Sequence, residues 1–284
     1  MPSLSTFVAN GAARLFVGPH PGRARQDAET LLLHLLGRNR AWLMAHGNDE
    51  LSGAQAARYA ELLERRDRGE PIQYIAGQTE FYGLPFRVTP AVLIPRPETE
   101  HLVEKVFGLA ASFTAPRIVD VGTGSGCIAV TLAHHLPQAQ ITAIDISIAA
   151  LASASESAAL NGVSPRIRFL EGDLLAPVAD ERFEIVVSNP PYVPSTDRDS
   201  LPVEVREFEP ELALFAGEDG LAIYRRLIPA AHAVLVPGGF VALEIGYSQQ
   251  AAIRVLLAES GFEEIEFVPD LQGIPRVACG KRPD

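Results

Sequence analysis

Apolar positions along this chain follow two different periods. From residue 4 to about residue 70 they recur at helical spacing. Leu31-Leu32-Leu33 and Leu35-Leu36 form a stripe that ends at Gly37, the residue type that suits a left-handed helix stop. Ala56, Tyr59, Leu62 and Leu63 form a second stripe, with Ser52 as candidate N-cap and Gly69-Glu70-Pro71 as the stop. Residues 72–95 change character, and Phe81-Tyr82-Gly83-Leu84-Pro85-Phe86 with Val88 predicts a short hairpin. From Arg117 onward short runs rich in β-branched residues alternate with helical stretches. Strands are predicted at 117–121, 140–145, 166–170, 183–188, 234–245, 262–268 and 275–280, and helices near 126–136, 147–161, 218–232 and 247–260. That alternation predicts an α/β domain on a mainly parallel, doubly wound sheet. The last two strands are joined by too few residues for a crossover helix, so they are expected to pair antiparallel.

The strand Phe183-Glu184-Ile185-Val186-Val187-Ser188 runs into Asn189-Pro190-Pro191-Tyr192. Two prolines cannot continue a strand, because each fixes its φ and lacks an N–H. Ligands of open α/β sheets sit beyond the carboxyl ends of the strands, which places Asn189 and Tyr192 at the mouth of a site. The chemistry suits a planar –NH2 group. The Asn189 side-chain oxygen and the Pro190 carbonyl can each accept one of its hydrogens, held still by the prolines, and Tyr192 offers a flat face to stack on. Asn-Pro by itself is ordinary turn chemistry; the longer motif after a buried strand is more specific.

A second constellation lies upstream. Ile118-Val119-Asp120-Val121 is followed by Gly122-Thr123-Gly124-Ser125-Gly126 and then a helix. A glycine-rich turn lets the backbone approach a ligand closely, with helix N-terminal amides pointing at it. Asp145 closes the next strand, 19 residues after Gly126, where an acidic side chain accepts from ribose hydroxyls. The spacing is G-x-G-x-G rather than the dinucleotide G-x-G-x-x-G, and no G-x-x-x-x-G-K-[ST] phosphate loop is present. Asp173, in Glu171-Gly172-Asp173-Leu174, is placed to accept from the exocyclic amine of an adenine, or equally to close a turn. Between the two domains, Ile94-Pro95-Arg96-Pro97-Glu98-Thr99-Glu100 reads either as a proline-punctuated helix start at Glu98 or Thr99 or as a rigid lip over the cofactor site.

Bulk properties narrow the classes. The chain has 284 residues, 47% of them hydrophobic, enough for a full core. No apolar run reaches the ~20 residues of a membrane span, and the N-terminus does not look like a signal peptide. Cys127 and Cys279 are the only cysteines and have no ligand spacing, so we expect reduced thiols, a cytoplasmic location and no metal. The net charge of −11 falls entirely after residue 80, since residues 1–80 hold nine basic and nine acidic side chains. An acidic catalytic half argues against nonspecific binding of a phosphate backbone.

Together these residues resemble a class I S-adenosylmethionine-dependent methyltransferase, and more narrowly the release factor glutamine methyltransferase family (PrmC/HemK). The resemblance covers most of the chain from about residue 71. It runs through Pro71-Ile72-Gln73-Tyr74-Ile75-Ala76-Gly77, Val92 to Glu100, Asp120 to Gly126 and Asn189 to Val193. Downstream it takes in Phe208-Glu209-Pro210, Gly217 to Leu221, Tyr224-Arg225, Glu244-Ile245-Gly246 with Gln249, and Asp270-Leu271 with Gly273. The resemblance implies a Rossmann-like, seven-stranded, mostly parallel sheet with one antiparallel strand over residues 96–284. It also implies a helical substrate-recognition domain at 1–79 and a β-hairpin linker at 80–95. The implied activity is methylation of the glutamine of the Gly-Gly-Gln motif of peptide chain release factors, using S-adenosyl-L-methionine. Gly122, Thr123, Gly124, Ser125 and Gly126 would hold the methionine end, Asp145 the ribose, and Asp173 with Leu174 the adenine region. Leu174 stands where some relatives carry an aromatic. Asn189 and Pro190 would bind the glutamine –NH2, with Tyr192 on its amide plane and Pro191 beside them, and Asn189 would also touch the cofactor. The partner is then a protein, with no nucleic acid or membrane and no need for more than a monomer. Two other readings are a DNA adenine-N6 methyltransferase, whose flipped base amine poses the same chemical problem, and a noncatalytic cofactor-binding protein.

Overall fold

The computed structural model describes residues 2–284. Its helices are α1 (Leu4–Leu15), α2 (Ala24–Leu36), α3 (Arg40–His46), α4 (Gly53–Asp67), α5 (Ile72–Ala76), α6 (Thr99–Ala110), α7 (Cys127–His135), α8 (Ile148–Leu160), α9 (Val203–Phe208), α10 (Ala222–Val234) and α11 (Gln250–Glu259). The strands are β1 (Gln78–Phe81), β2 (Leu84–Arg87), β3 (Arg117–Val121), β4 (Gln140–Asp145), β5 (Ile167–Glu171), β6 (Phe183–Ser188), β7 (Leu235–Glu244), β8 (Glu263–Pro269) and β9 (Pro275–Lys281). They form two compact units. One runs to Gly77 and also takes in Leu201–Phe208; the other holds Gln78–Ser200 and Glu209–Asp284.

The first unit is all helical. Ser52 caps α4 with a full capping box: its hydroxyl accepts from the Gln55 amide while the Gln55 side chain accepts from the Ser52 amide. Helix α2 stops where expected, at Gly37 with φ 60°. Leu4, Val8, Leu31, Leu32, Tyr59 and Leu62 meet in the core, where the Tyr59 hydroxyl donates to the Ala28 carbonyl at 2.9 Å. One charged pair is buried with them. Arg66 Nε lies 2.7 Å from Asp27 Oδ2, with each side chain only 2% exposed. Arg66 Nη1 donates to the Glu70 carbonyl at 2.9 Å and to Glu204 Oε2 at 3.2 Å. Glu204 belongs to α9, more than a hundred residues downstream, and Val203 and Phe208 of the same helix pack beside Gly69.

The second unit is built on a seven-stranded sheet in the order β5-β4-β3-β6-β7-β9-β8. Strands β3 to β7 are mutually parallel, and β9 is antiparallel to both neighbours. The antiparallel pairing of the last two strands is as expected, and β9 inserts between β7 and β8. The strands read as continuous apolar runs because both faces are covered. Ile118, Ile185 and Val187 face α6 and α7, whereas Val119, Val186 and Val241 face α10 and α11. The chain order reverses between β3 and β6, which opens a crevice at their carboxyl ends.

Strands β1 and β2 form the expected hairpin, starting at Gln78, with Tyr82 (φ 50°) and Gly83 (φ 72°) both left-handed as a two-residue turn requires. The hairpin is part of the second unit's core. Phe81 and Phe86 are buried there edge to face, 6.0 Å apart, and Asn161 Nδ2 donates to the Pro85 carbonyl at 2.8 Å. No helix among the described residues is long and apolar enough to cross a membrane.

Candidate active site

A cavity of about 380 Å³ opens at the carboxyl ends of the parallel strands. Its floor is Val121, Gly122, Thr123, Gly124 and Ser125 after β3. Asp145 to Ser147 after β4 and Gly172 to Leu174 after β5 form one side, and Asn189 and Pro191 after β6 the other. Val92, Leu93, Pro95 and Arg96 line the cavity as well, and α6 begins at Thr99, so this stretch is both a lip on the cavity and a helix start. Arg96 Nη2 donates to Glu209 Oε1 at 2.5 Å, tying the lip to the segment that leads into Pro210, itself a lining residue.

The glycine loop owes its shape to its own hydrogen bonds. The Gly122 and Thr123 amides both donate to the Ile144 carbonyl, at 2.8 and 3.0 Å, and the Gly126 amide donates to the Thr123 carbonyl. The Gly124 amide donates to Asp145 Oδ2 at 2.8 Å. Most loop amides are therefore engaged within the protein instead of pointing at a ligand as the sequence suggested. What the loop offers is close approach. A Cβ at Gly122 would meet no atom within 4 Å and would stand in the cavity, whereas one at Gly126 would press on Ala154 at 3.0 Å. Gly126 thus lies outside the lining and serves helix packing. An adenosine-bearing methyl donor fits this donor set: a bare backbone floor, a carboxylate at Asp145 and an apolar flank at Ile146, Leu174 and Ile223.

Asp145 accepts from Gly124 and Ser147, one amide per oxygen, and each oxygen retains a lone pair for a ribose hydroxyl. Burial raises its pKa, and the Ser147 and Gly124 amides work against that rise. Asp173 and Leu174 border the cavity; Asp173 Oδ2 is paired with Arg226, also a lining residue, and the carboxylate keeps further lone pairs for an adenine amine. Leu174 takes a left-handed backbone (φ 52°), which a leucine rarely adopts.

Behind the floor, burial pushes the Asp120 carboxyl up to about 7, and the Thr123 hydroxyl, donating to Asp120 Oδ2 at 2.7 Å, holds it down. A carboxyl whose folded pKa is raised stabilises the fold at low pH, and that contribution is lost as pH rises through about 7. Asp120→Asn removes the slope. Thermal melts from about pH 5 to about pH 8 are expected to show the wild type losing stability relative to Asp120→Asn as pH rises. Parallel curves would contradict the assignment.

The acceptor side differs from expectation in two respects. Asn189 and Pro191 line the cavity, whereas Pro190 is buried and Tyr192 lies behind the loop. The Tyr192 hydroxyl donates to Glu244 Oε1 at 3.2 Å, and its carbonyl accepts from Gln249 Nε2 at 3.0 Å. Burial, with Glu244 alongside, raises the Tyr192 pKa, so the hydroxyl stays protonated. Asn189 Nδ2 donates to Thr99 Oγ1 at 3.1 Å, and Thr99 Oγ1 donates to Glu244 Oε2 at 2.6 Å. Glu244 is 2% exposed at the end of β7, and its carbonyl accepts from the Tyr224 hydroxyl at 2.7 Å. Burial pushes its carboxyl up to about 7 against the bonds from Thr99 and Tyr192. Sequence reasoning saw Thr99 as a helix start and Glu244 as part of a signature. The available signal was an acid closing the apolar run Val241-Ala242-Leu243, a position that demands buried partners.

The chain has clear relatives. Residues 11–77 match the PrmC N-terminal domain and residues 99–203 the Methyltransferase small domain. The release factor glutamine methyltransferase of Koribacter versatilis is 45% identical over 260 residues, 91% of either chain. That of Geobacter sulfurreducens is 42% identical, over 91% of this chain and 89% of the relative. A solved structure, the 16S rRNA N2 G1207 methyltransferase of T. thermophilus in complex with AdoMet and guanosine, superposes with a TM-score of 0.54 at 18% identity. It covers 72% of this chain and 49% of that one, a likeness of fold alone.

Proposed function

The chain belongs to the release factor glutamine methyltransferase family, and on that basis we propose that it methylates the side-chain amide nitrogen of the glutamine in the Gly-Gly-Gln motif of peptide chain release factors. The observation that carries this is spatial: Asn189 lines the same cavity as Gly122 to Ser125 and Asp145, so an acceptor –NH2 and a methyl donor would share one chamber. S-adenosyl-L-methionine, when bound, supplies a sulfonium methyl, whose carbon–sulfur bond breaks as the nitrogen–carbon bond forms, with S-adenosyl-L-homocysteine released and the amide proton lost to solvent. Gly122 to Ser125 would take the methionine end, Asp145 the ribose hydroxyls, and the Asp173 carboxylate the adenine amine, flanked by Leu174.

An amide nitrogen is a poor nucleophile because its lone pair is delocalised into the carbonyl. Asn189 Oδ1 and the Pro190 carbonyl would accept its two hydrogens, raise electron density on nitrogen and aim the lone pair. Neither acceptor has a hydrogen-bond partner among the described residues. Tyr192 would support the glutamine amide plane from behind the loop, through the position it gives Asn189 and Pro190. The helical unit would dock the release factor, since one glutamine side chain offers too few contacts to define the substrate. The enzyme would act as a monomer in the cytoplasm.

The test offers S-adenosylmethionine with a labelled methyl to the protein together with a purified release factor and, separately, duplex DNA. Label is expected on the release factor and is lost when its motif glutamine is replaced. Label on DNA instead would overturn the acceptor while leaving the cofactor site intact.

A further inference from the structure

A side-chain amide has two ends that differ in chemistry and hardly at all in shape. Asn189 is useful to an –NH2 acceptor only with Oδ1 toward the cavity; with Nδ2 there, two N–H donors would face each other. Nothing in the backbone of Asn189-Pro190-Pro191 makes that choice. The side chains behind it do. Above about pH 7, where Glu244 is ionised, its carboxylate has no proton to give, so Thr99, 2.6 Å away, donates its single hydroxyl hydrogen to Oε2. The Thr99 oxygen is then left as an acceptor only, and Asn189 must turn Nδ2 toward it at 3.1 Å. Glu244 Oε1 is held from the other side by the Tyr192 hydroxyl, two residues beyond Pro190.

We propose that Thr99 and Glu244 are positioning residues for the methyl acceptor: the buried carboxylate sets the direction of the Thr99 hydroxyl, and the hydroxyl sets the direction of the Asn189 amide. The three groups come from the start of α6, the end of β7 and the loop after β6. The relay rests on the reading that the acceptor is an –NH2 group. It says nothing about the methyl donor, whose expected contacts are on the glycine loop and Asp145. Its signature is therefore selective: acceptor turnover suffers and cofactor binding does not.

Thr99→Val keeps the shape and removes the hydroxyl; Thr99→Ser restores the hydroxyl and removes a methyl. We expect Thr99→Val to lower kcat for release factor methylation by about 10- to 100-fold, while its Kd for S-adenosylmethionine, by calorimetry, stays within about 3-fold of wild type. Thr99→Ser is expected to recover kcat to within about 3-fold. Glu244→Gln must turn an N–H2 toward either Thr99 or Tyr192 and is expected to lose kcat in the same direction, with Kd again unmoved. The inference is overturned if Thr99→Val keeps wild-type kcat, if kcat and cofactor affinity fall together, or if Thr99→Ser is as poor as Thr99→Val. Absence of transfer by the wild type overturns the reading of the acceptor and this relay with it; wild-type transfer with an unaffected Thr99→Val overturns the relay alone.

Discussion

Asn189→Ala is expected to slow methyl transfer by about 10²- to 10³-fold, the loss typical of removing one preorganised electrostatic partner from an active site. The variant keeps the glycine loop, Asp145 and both prolines, where most of the proposed cofactor contacts lie. Its Kd for S-adenosylmethionine should match the wild type within about 2-fold, and the loss should appear in single-turnover rates at saturating release factor. The size follows from the chemistry. The amide nitrogen must be made nucleophilic in the ground state, and in the proposed reaction Asn189 Oδ1 is one of the two acceptors that would do so. A parallel fall in cofactor affinity would show that Asn189 serves the donor side of the cavity. An unchanged rate would remove it from the reaction.

The largest effect on stability is expected in the helical unit. Asp27→Ala leaves Arg66 buried at 2% exposure without its carboxylate. Breaking a buried pair from one side costs about 3–5 kcal/mol, because the remaining charge keeps its desolvation penalty and loses its partner. Arg66 retains the Glu70 carbonyl and Glu204, so a value toward the lower end of that range is expected. Replacing both partners by apolar residues, Asp27→Leu with Arg66→Met, should recover most of the loss. Urea unfolding of the three proteins measures it. A single-variant effect below about 1 kcal/mol, the range of exposed pairs, would mean that water reaches Arg66.

What could be read from the sequence, and what could not, divides along a physical line. Strands β3, β4 and β6 match their predicted bounds because a parallel strand covered on both faces must be apolar throughout, and Val, Ile and Ala runs advertise that. Gly37 and Ser52 were legible because caps act within four residues. The glycine loop and Asp145 were legible because strand–turn–helix spacing is local. The insertion of β9 between β7 and β8 was not legible, since both orders satisfy the same apolar pattern. Nor was the relay, whose members Thr99 and Glu244 lie 145 residues apart and meet only when the sheet closes. The pairing of Asp173 with Arg226 was hidden for the same reason, as was the membership of Leu201–Phe208 in the helical unit.

That membership changes what it means to remove the N-terminal part of this chain. A gene begun at Gln78 would not deliver a catalytic domain with clean edges. It would carry an orphaned strip, Leu201–Phe208, with Val203 and Phe208 stripped of their packing at Gly69 and Glu204 stripped of Arg66. The two units are interleaved along the polypeptide rather than strung in series, and an exchange of helical units between relatives has to carry 201–208 along as a second graft.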